Sequence, residues 1–272
     1  MYHVERSQAL ADKLVDTDSD MMFASVIAGN TPGEVWVDDP DKPSAALVWS
    51  AGLMCFQFMG DPQNRTFKEE LNSFIEGDII TFLKEKDLNF FEFSADKEEW
   101  YQVIDNALPD RDIDTENQLV YKSDGKDLPD DITFPDSFQS VFIDEEFIYS
   151  LSEDNITNPD YLLNYIRNYW GTVDNYLEKG KGFVALKDDK IAAFAVSSSL
   201  YKKSKAIGVE TLEEYRRQGL SSSLSRMLLQ DFYREGYWPW WDCMKSNIPS
   251  QKTAEKVGLV RAYQYEVKWF RF

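Results

Sequence analysis

A strand that runs into a basic, glycine-bearing turn and then into a helix constrains this chain more than any other stretch. Ile207 and Val209 alternate as in a half-buried strand, and Leu220, Leu224, Met227, Leu228 and Phe232 recur at helical spacing. Between them lie Arg216, Arg217, Gln218 and Gly219. The first N–H groups of a helix have no partner inside it and carry the positive end of its dipole. Gly219 lets backbone approach a ligand and the arginines add charge, so the turn is a natural seat for a phosphate or pyrophosphate. The same residues also fit a plain strand–turn–helix with a capping glycine and two solvated arginines.

The chain has 272 residues, enough for two modest domains or one large one, and its 43% hydrophobic and 15% aromatic content suffices for a packed core. No apolar run reaches the roughly 20 residues that span a bilayer. The N-terminus has neither the basic start nor the apolar core of a signal peptide. These features predict a cytoplasmic protein without a membrane partner. Cys55 and Cys243 sit in apolar, aromatic strands without metal-ligand spacing, and read as reduced core residues. His3, the one histidine, lies in a terminus expected to fray, so neither a histidine-based triad nor a metal site is expected.

The formal charge of −19 is unevenly placed. Residues 1–130 hold 28 Asp and Glu against 11 Lys and Arg, a net of −17; residues 131–272 hold 20 against 18, a net of −2. That sign argues against nucleic acid. It suits a cationic partner, and it equally suits simple solubility.

Two halves with similar patterns follow one another. Gly33 to Ser50 echoes Gly182 to Ser197, and each is followed by a strand, a long helix, an aromatic strand, a short helix and a final strand. In the first half Ser44–Phe58 reads as one strand, Thr66–Lys86 as a helix with Thr66 and Glu69 at capping-box spacing, Asp96 as the cap of a helix to Leu108, and Leu119–Tyr121 as a short closing strand. Residues 1–125 form the first expected domain, 126–134 an Asp-rich linker and 135–272 the second domain. The first half has Gly60-Asp61-Pro62 where the second has its basic turn, so no comparable phosphate site is expected there.

Arg216-Arg217-Gln218-Gly219-Leu220-Ser221, followed by Asn247-Ile248-Pro249-Ser250 and then Ala254 to Leu259, resembles the two signature blocks of the GNAT acyltransferase superfamily, in order and with about 25 residues between them. Ser221 departs from the family's Gly or Ala at the last small position. Ile207 to Thr211 and Trp241-Asp242-Cys243 look most like the zwittermicin A resistance type, and paenilamicin-type self-resistance acetyltransferases are a close candidate group. The resemblance implies an α/β (α+β) fold of tandem GNAT-like domains, each a mixed, mostly antiparallel sheet flanked by helices, with a degenerate N-terminal copy.

The resemblance also implies acetyl-coenzyme A as co-substrate, no metal, and a small cationic amine as acceptor, in a monomer or homodimer. Backbone of Val209 and Thr211 would bind the acetyl and pantetheine groups. The turn from Arg216 through Arg217, Gln218, Gly219, Leu220 and Ser221 to Ser222 would cradle the pyrophosphate, and Asn247 would hold the pantetheine arm. An attacking amine must first lose a proton, and Glu210 is the expected base, provided strand alternation does not turn it away. Many family members carry a tyrosine as general acid at the position of Ala254; Ser250 could donate instead or could simply cap its helix. Acetylation of proteins or peptides, or non-catalytic binding of acyl-coenzyme A or a drug, are the alternative readings.

Overall fold

Short apolar runs broken by turn residues generate strands that pair mostly with their sequence neighbours. The structure, a computed structural model, describes residues 1–16, 19–125, 133–151 and 156–272. In chain order the elements are β1 (Tyr2–Val4), α1 (Gln8–Leu14), α2 (Met21–Ile27), β2 (Gly33–Val37), β3 (Ala45–Ser50), β4 (Cys55–Gly60) and α3 (Arg65–Phe74). A π-helical turn at Ile75–Ile79 leads into α4 (Ile80–Lys84), β5 (Phe90–Ala95), α5 (Glu99–Ala107) and β6 (Asp114–Lys122). The chain continues as β7 (Gln139–Phe142), α6 (Glu145–Ser150), α7 (Pro159–Trp170), α8 (Val173–Lys179), β8 (Gly182–Lys187), β9 (Lys190–Tyr201) and β10 (Ser204–Thr211). A 3-10 turn at Glu213–Tyr215 precedes α9 (Leu220–Arg234), β11 (Trp238–Met244), α10 (Ile248–Lys256) and β12 (Val260–Arg271).

These elements form two compact units, Met1–Gln118 with Tyr265–Phe272, and Leu119–Gln264. The first unit orders its strands β1-β2-β3-β4-β5-β12, and the second orders them β7-β8-β9-β10-β11-β6. The pairing repeats too. Strands β1 to β4 pair antiparallel in succession and β4 pairs β5 parallel. Likewise β7 to β10 are antiparallel neighbours and β10 pairs β11 parallel. The closing strands are exchanged: Lys268–Arg271 of β12 pair antiparallel with β5, and β6 lies beside β11. The unit boundaries therefore fall elsewhere than the 125 and 135 read from the sequence. Residues 126–132 of the expected linker lie outside the described residues.

Several local expectations are corrected. Ser44–Phe58 is two strands, because the chain turns at 51–54 with Met54 at φ 53°. Asn64, not Thr66, caps α3, accepting from the Phe67 N–H. Asp96 does not cap α5, which starts at Glu99; its carboxyl reaches β4 instead. The closing strand β6 is nine residues long rather than three. The N-terminus forms β1, where His3 meets Glu34 at 2.8 Å. Cys55 and Cys243 are both unbridged and buried.

In the second unit each sheet face carries its own core. Ile207, Leu220, Leu224, Leu228, Phe232, Trp241 and Cys243 pack with α9 and α10 on one face. Leu162, Ile166, Trp170, Tyr176, Val184, Phe194 and Val196 pack with α7 and α8 on the other. Each such apolar side chain removed from water contributes about 1.5–3 kcal/mol. Helix α7 is tied to β9 at both ends. The Asn158 side chain donates to the Ile191 carbonyl at 3.0 Å and accepts from its N–H at 2.8 Å. The Trp170 indole donates to the Ser197 carbonyl at 2.8 Å.

Candidate active site

The site begins where β10 leaves β11. The parallel pairing lasts only for Ser204, Lys205 and Ala206. A register shift between Ala206 and Ile207 then bulges β10, while its pairing with β9 continues to Thr211. From Ile207 onward the β11 side of β10 carries backbone outside the parallel ladder, which leaves a gap in the pairing of the two strands. A bulge of this kind bends a strand and ends pairing on one side.

Alternation sorts the gap's side chains by face. Ile207 and Val209 pack towards α9, and the Thr211 hydroxyl meets that of Ser221 at 2.8 Å. Gly208 and Glu210 consequently face α7. On β11, Trp241 and Cys243 point to the α9 face, which leaves Asp242 on the α7 face.

On the α9 face the turn is preorganised for an anion. Helix α9 has no side-chain cap, and Gly219 precedes it at φ 86°. Nothing lies within 4 Å of where a Gly219 Cβ would be, so backbone conformation rather than space calls for glycine. The Leu220, Ser221 and Ser222 N–H groups are the uncapped first-turn donors. Arg217 also takes a left-handed conformation, at φ 62°, and Arg216, Arg217 and Gln218 are exposed. Arg216 Nε donates to the Thr211 carbonyl at 3.3 Å, so that carbonyl already has a partner, and the Ser222 hydroxyl donates to the Gly219 carbonyl at 2.9 Å.

Asn247 caps α10, its side-chain oxygen accepting from the Ser250 N–H at 3.2 Å; the residue is exposed. Ser250 is thus not the cap. Its hydroxyl accepts from the Trp241 indole at 3.0 Å and also hydrogen-bonds Cys243. Ala254 is fully buried in the α9-side core.

The α7 face holds the titratable groups. Glu210 reaches solvent, yet neighbouring protein desolvates its carboxyl enough to raise its pKa above the ordinary glutamate value. Tyr161, Tyr165 and Tyr169, one α-helical turn apart on α7, face it. Burial raises all three phenol pKa values, with the Glu210 charge adding to each. Tyr169 is pushed up to about 12 by burial, then by Asp242. Tyr165 and Tyr169 stack with centroids 4.6 Å apart and hydrogen-bond through their hydroxyls. Phe194, which pairs with Glu210 across β9 and β10, braces Tyr161 and Tyr165 at 5.0 Å each. The Tyr165 hydroxyl lies 1.6 Å from where a Gly208 Cβ would stand, so only glycine admits it.

Val209 and Thr211 thus lie on the part of β10 beyond the parallel ladder, the 216–222 turn leads from it into α9, Asn247 starts α10 after β11, and Glu210 lies on the other face. It engages Ser250 with β11. Sequence reasoning missed Gly208 and the three tyrosines. Their i, i+4, i+8 spacing was a readable signal, but what that stripe faces depends on a strand some 40 positions away.

In the first unit the corresponding place is bridged by side chains. The Asp96 carboxylate accepts from the Gly60 N–H at 2.8 Å. Lys97 Nζ donates to the Gly60 carbonyl at 2.8 Å. Asn64 caps the helix that follows and also donates to Asp38 at 2.7 Å, so the place of the basic turn is capped and acidic. Among the described residues no group of three or more His, Cys, Asp and Glu side chains could hold a metal ion, and no helix is long and apolar enough to cross a membrane.

A family model described as GNAT acetyltransferase matches residues 12–268. An uncharacterized N-acetyltransferase of Bacillus subtilis strain 168, YdfB, is 24% identical over 243 residues, which cover 89% of this chain and 87% of that protein. Among solved structures, a GCN5-related N-acetyltransferase-like protein from Streptococcus suis 89/1591 superposes with a TM-score of 0.64 at 22% identity, covering 94% of each chain. A tandem GNAT protein from the clavulanic acid biosynthesis pathway superposes with a TM-score of 0.58 at 12% identity, covering 92% of this chain and 87% of that one.

Proposed function

The chain belongs to the GNAT acetyltransferase family, and on that premise we propose that residues 119–264 transfer an acetyl group from acetyl-coenzyme A to a primary amine of a small cationic molecule. The observation that carries this reading is the gap between β10 and β11, flanked on one face by the uncapped start of α9 and on the other by Glu210. The donor set fits the coenzyme: amides and exposed arginines for the pyrophosphate, unladdered strand backbone and Asn247 for the pantetheine arm. Acetyl-coenzyme A supplies an activated acyl group as its thioester.

Glu210 takes a proton from the incoming ammonium group, leaving a nucleophilic amine. Its raised pKa places it closer to neutrality than an ordinary glutamate, and the α7 phenols, kept protonated by burial, surround it without competing as bases. As the N–C bond forms the thioester C–S bond breaks, and the departing sulfur takes up one proton.

The acceptor follows from charge. A formal charge of −19 attracts cations, and the acceptor face presents Glu210 and Asp242 among phenols, groups that bind ammonium. The motif resemblance supports an antibiotic carrying several amines, acetylated as a means of self-resistance, in the cytoplasm. Release of coenzyme A thiol in the presence of spermidine, aminopolyol antibiotics or basic peptides tests this. The reading predicts turnover with the free polyamines. Turnover with peptides alone would favour protein acetylation, and no turnover with any acceptor would leave only a binding role.

A further inference from the structure

We propose that Tyr165 sets the length of the acyl group the enzyme accepts, restricting the donor to acetyl-coenzyme A. This rests on the reading of the β10–β11 gap as the coenzyme site. The pyrophosphate seat is on the α9 face, so an arm threaded through the gap emerges on the α7 face beside Val209. The adjoining residue there is Gly208, and the Tyr165 hydroxyl sits directly against its backbone, 1.6 Å from the absent Cβ. Carbon atoms added beyond an acetyl methyl would run into that phenol.

The wall does not yield easily. Tyr165 is stacked and hydrogen-bonded to Tyr169, and its ring meets Phe194 edge-on at 5.0 Å. Helix α7 cannot retreat, because Asn158 and Trp170 bond it to β9 at its two ends. Forcing extra methylenes into such a surface is costly, and one methylene in a pocket changes selectivity by about 10- to 200-fold. The glycine is part of the device: with no Cβ on Gly208, the phenol lies against the strand backbone.

Calorimetric titration of free, acetyl-, propionyl- and butyryl-coenzyme A into the purified full chain tests this without relying on turnover. The wild-type protein should bind butyryl-coenzyme A at least tenfold more weakly than acetyl-coenzyme A. Tyr165→Phe, which removes only the hydroxyl against Gly208, should narrow that gap several-fold. Tyr165→Leu should narrow it at least tenfold, and the propionyl-to-acetyl ratio of kcat/KM should rise in parallel. Equal wild-type affinity for acetyl and butyryl donors overturns the proposal. So does an acetyl preference that persists unchanged in Tyr165→Phe, the variant least able to disturb folding. Failure of the wild-type protein to bind even free coenzyme A would instead overturn the coenzyme site itself, and this inference with it.

Discussion

Glu210 shows how alternation and burial set the environment of a single strand position. Alternation puts it on the α7 face, away from the basic turn, and desolvation raises its pKa. A base must be ionised to act, so the acid limb of kcat/KM should lie above the usual glutamate range of about 4.3. Glu210→Gln should lower kcat/KM at pH 7 by about 10²- to 10⁴-fold, and by clearly less at pH 9.5, where more of the amine is already neutral. An equal loss at both values would assign Glu210 a structural or binding role. The sequence singles this residue out, because it sits between Val209 and Thr211 on a strand that enters the basic turn. Its neighbours were not. Tyr161, Tyr165 and Tyr169 form a visible stripe, but the stripe becomes chemical only when α7 is laid over Gly208 and Glu210.

At the scale of elements, the same parallel strand pair recurs in both units, and in the first it is bridged by side chains. Asp96 bridges it by accepting the Gly60 N–H, and Lys97 adds a second bridge at the Gly60 carbonyl. Burial raises the Asp96 pKa to about 6, partly offset by Gly60 and Lys97. The folded protein therefore holds this proton more tightly than the unfolded chain. The stability this contributes is full below about pH 4 and lost as pH rises through about 6. Asp96→Asn keeps an acceptor oxygen for Gly60 and removes the buried charge. In urea denaturation it should be more stable than the wild-type protein at pH 8, by about 2 kcal/mol, and should show a flatter stability profile between pH 4 and 6. Lower stability of the variant at pH 8 would mean that the ionised carboxylate is the better clasp. Sequence pattern assigned Asp96 to capping because an Asp ahead of a helical run usually caps it. Its actual partner lies 36 residues earlier, and local spacing carries no information about such a pairing. Asn64 and Asn247, whose cap partners lie three residues on, illustrate the opposite case: both bonds are local.

Over the whole molecule, the duplication was readable because both halves repeat one order of strands and helices. The exchange of closing strands was not readable, because β6 and β12 are similar in position within their repeats and only pairing distinguishes them. The second copy keeps a bulged, open strand pair and a glycine-led, uncapped helix. The first has a pair bridged by side chains, an asparagine cap and Asp38 at the equivalent turn. The proposed function, set beside this difference, predicts a single working coenzyme site per chain. Calorimetric titration of acetyl-coenzyme A should give one site per chain, with affinity at least tenfold weaker in Arg217→Glu, which opposes the pyrophosphate at the turn. Two sites per chain, or one site whose affinity Arg217→Glu leaves unchanged, would contradict the account.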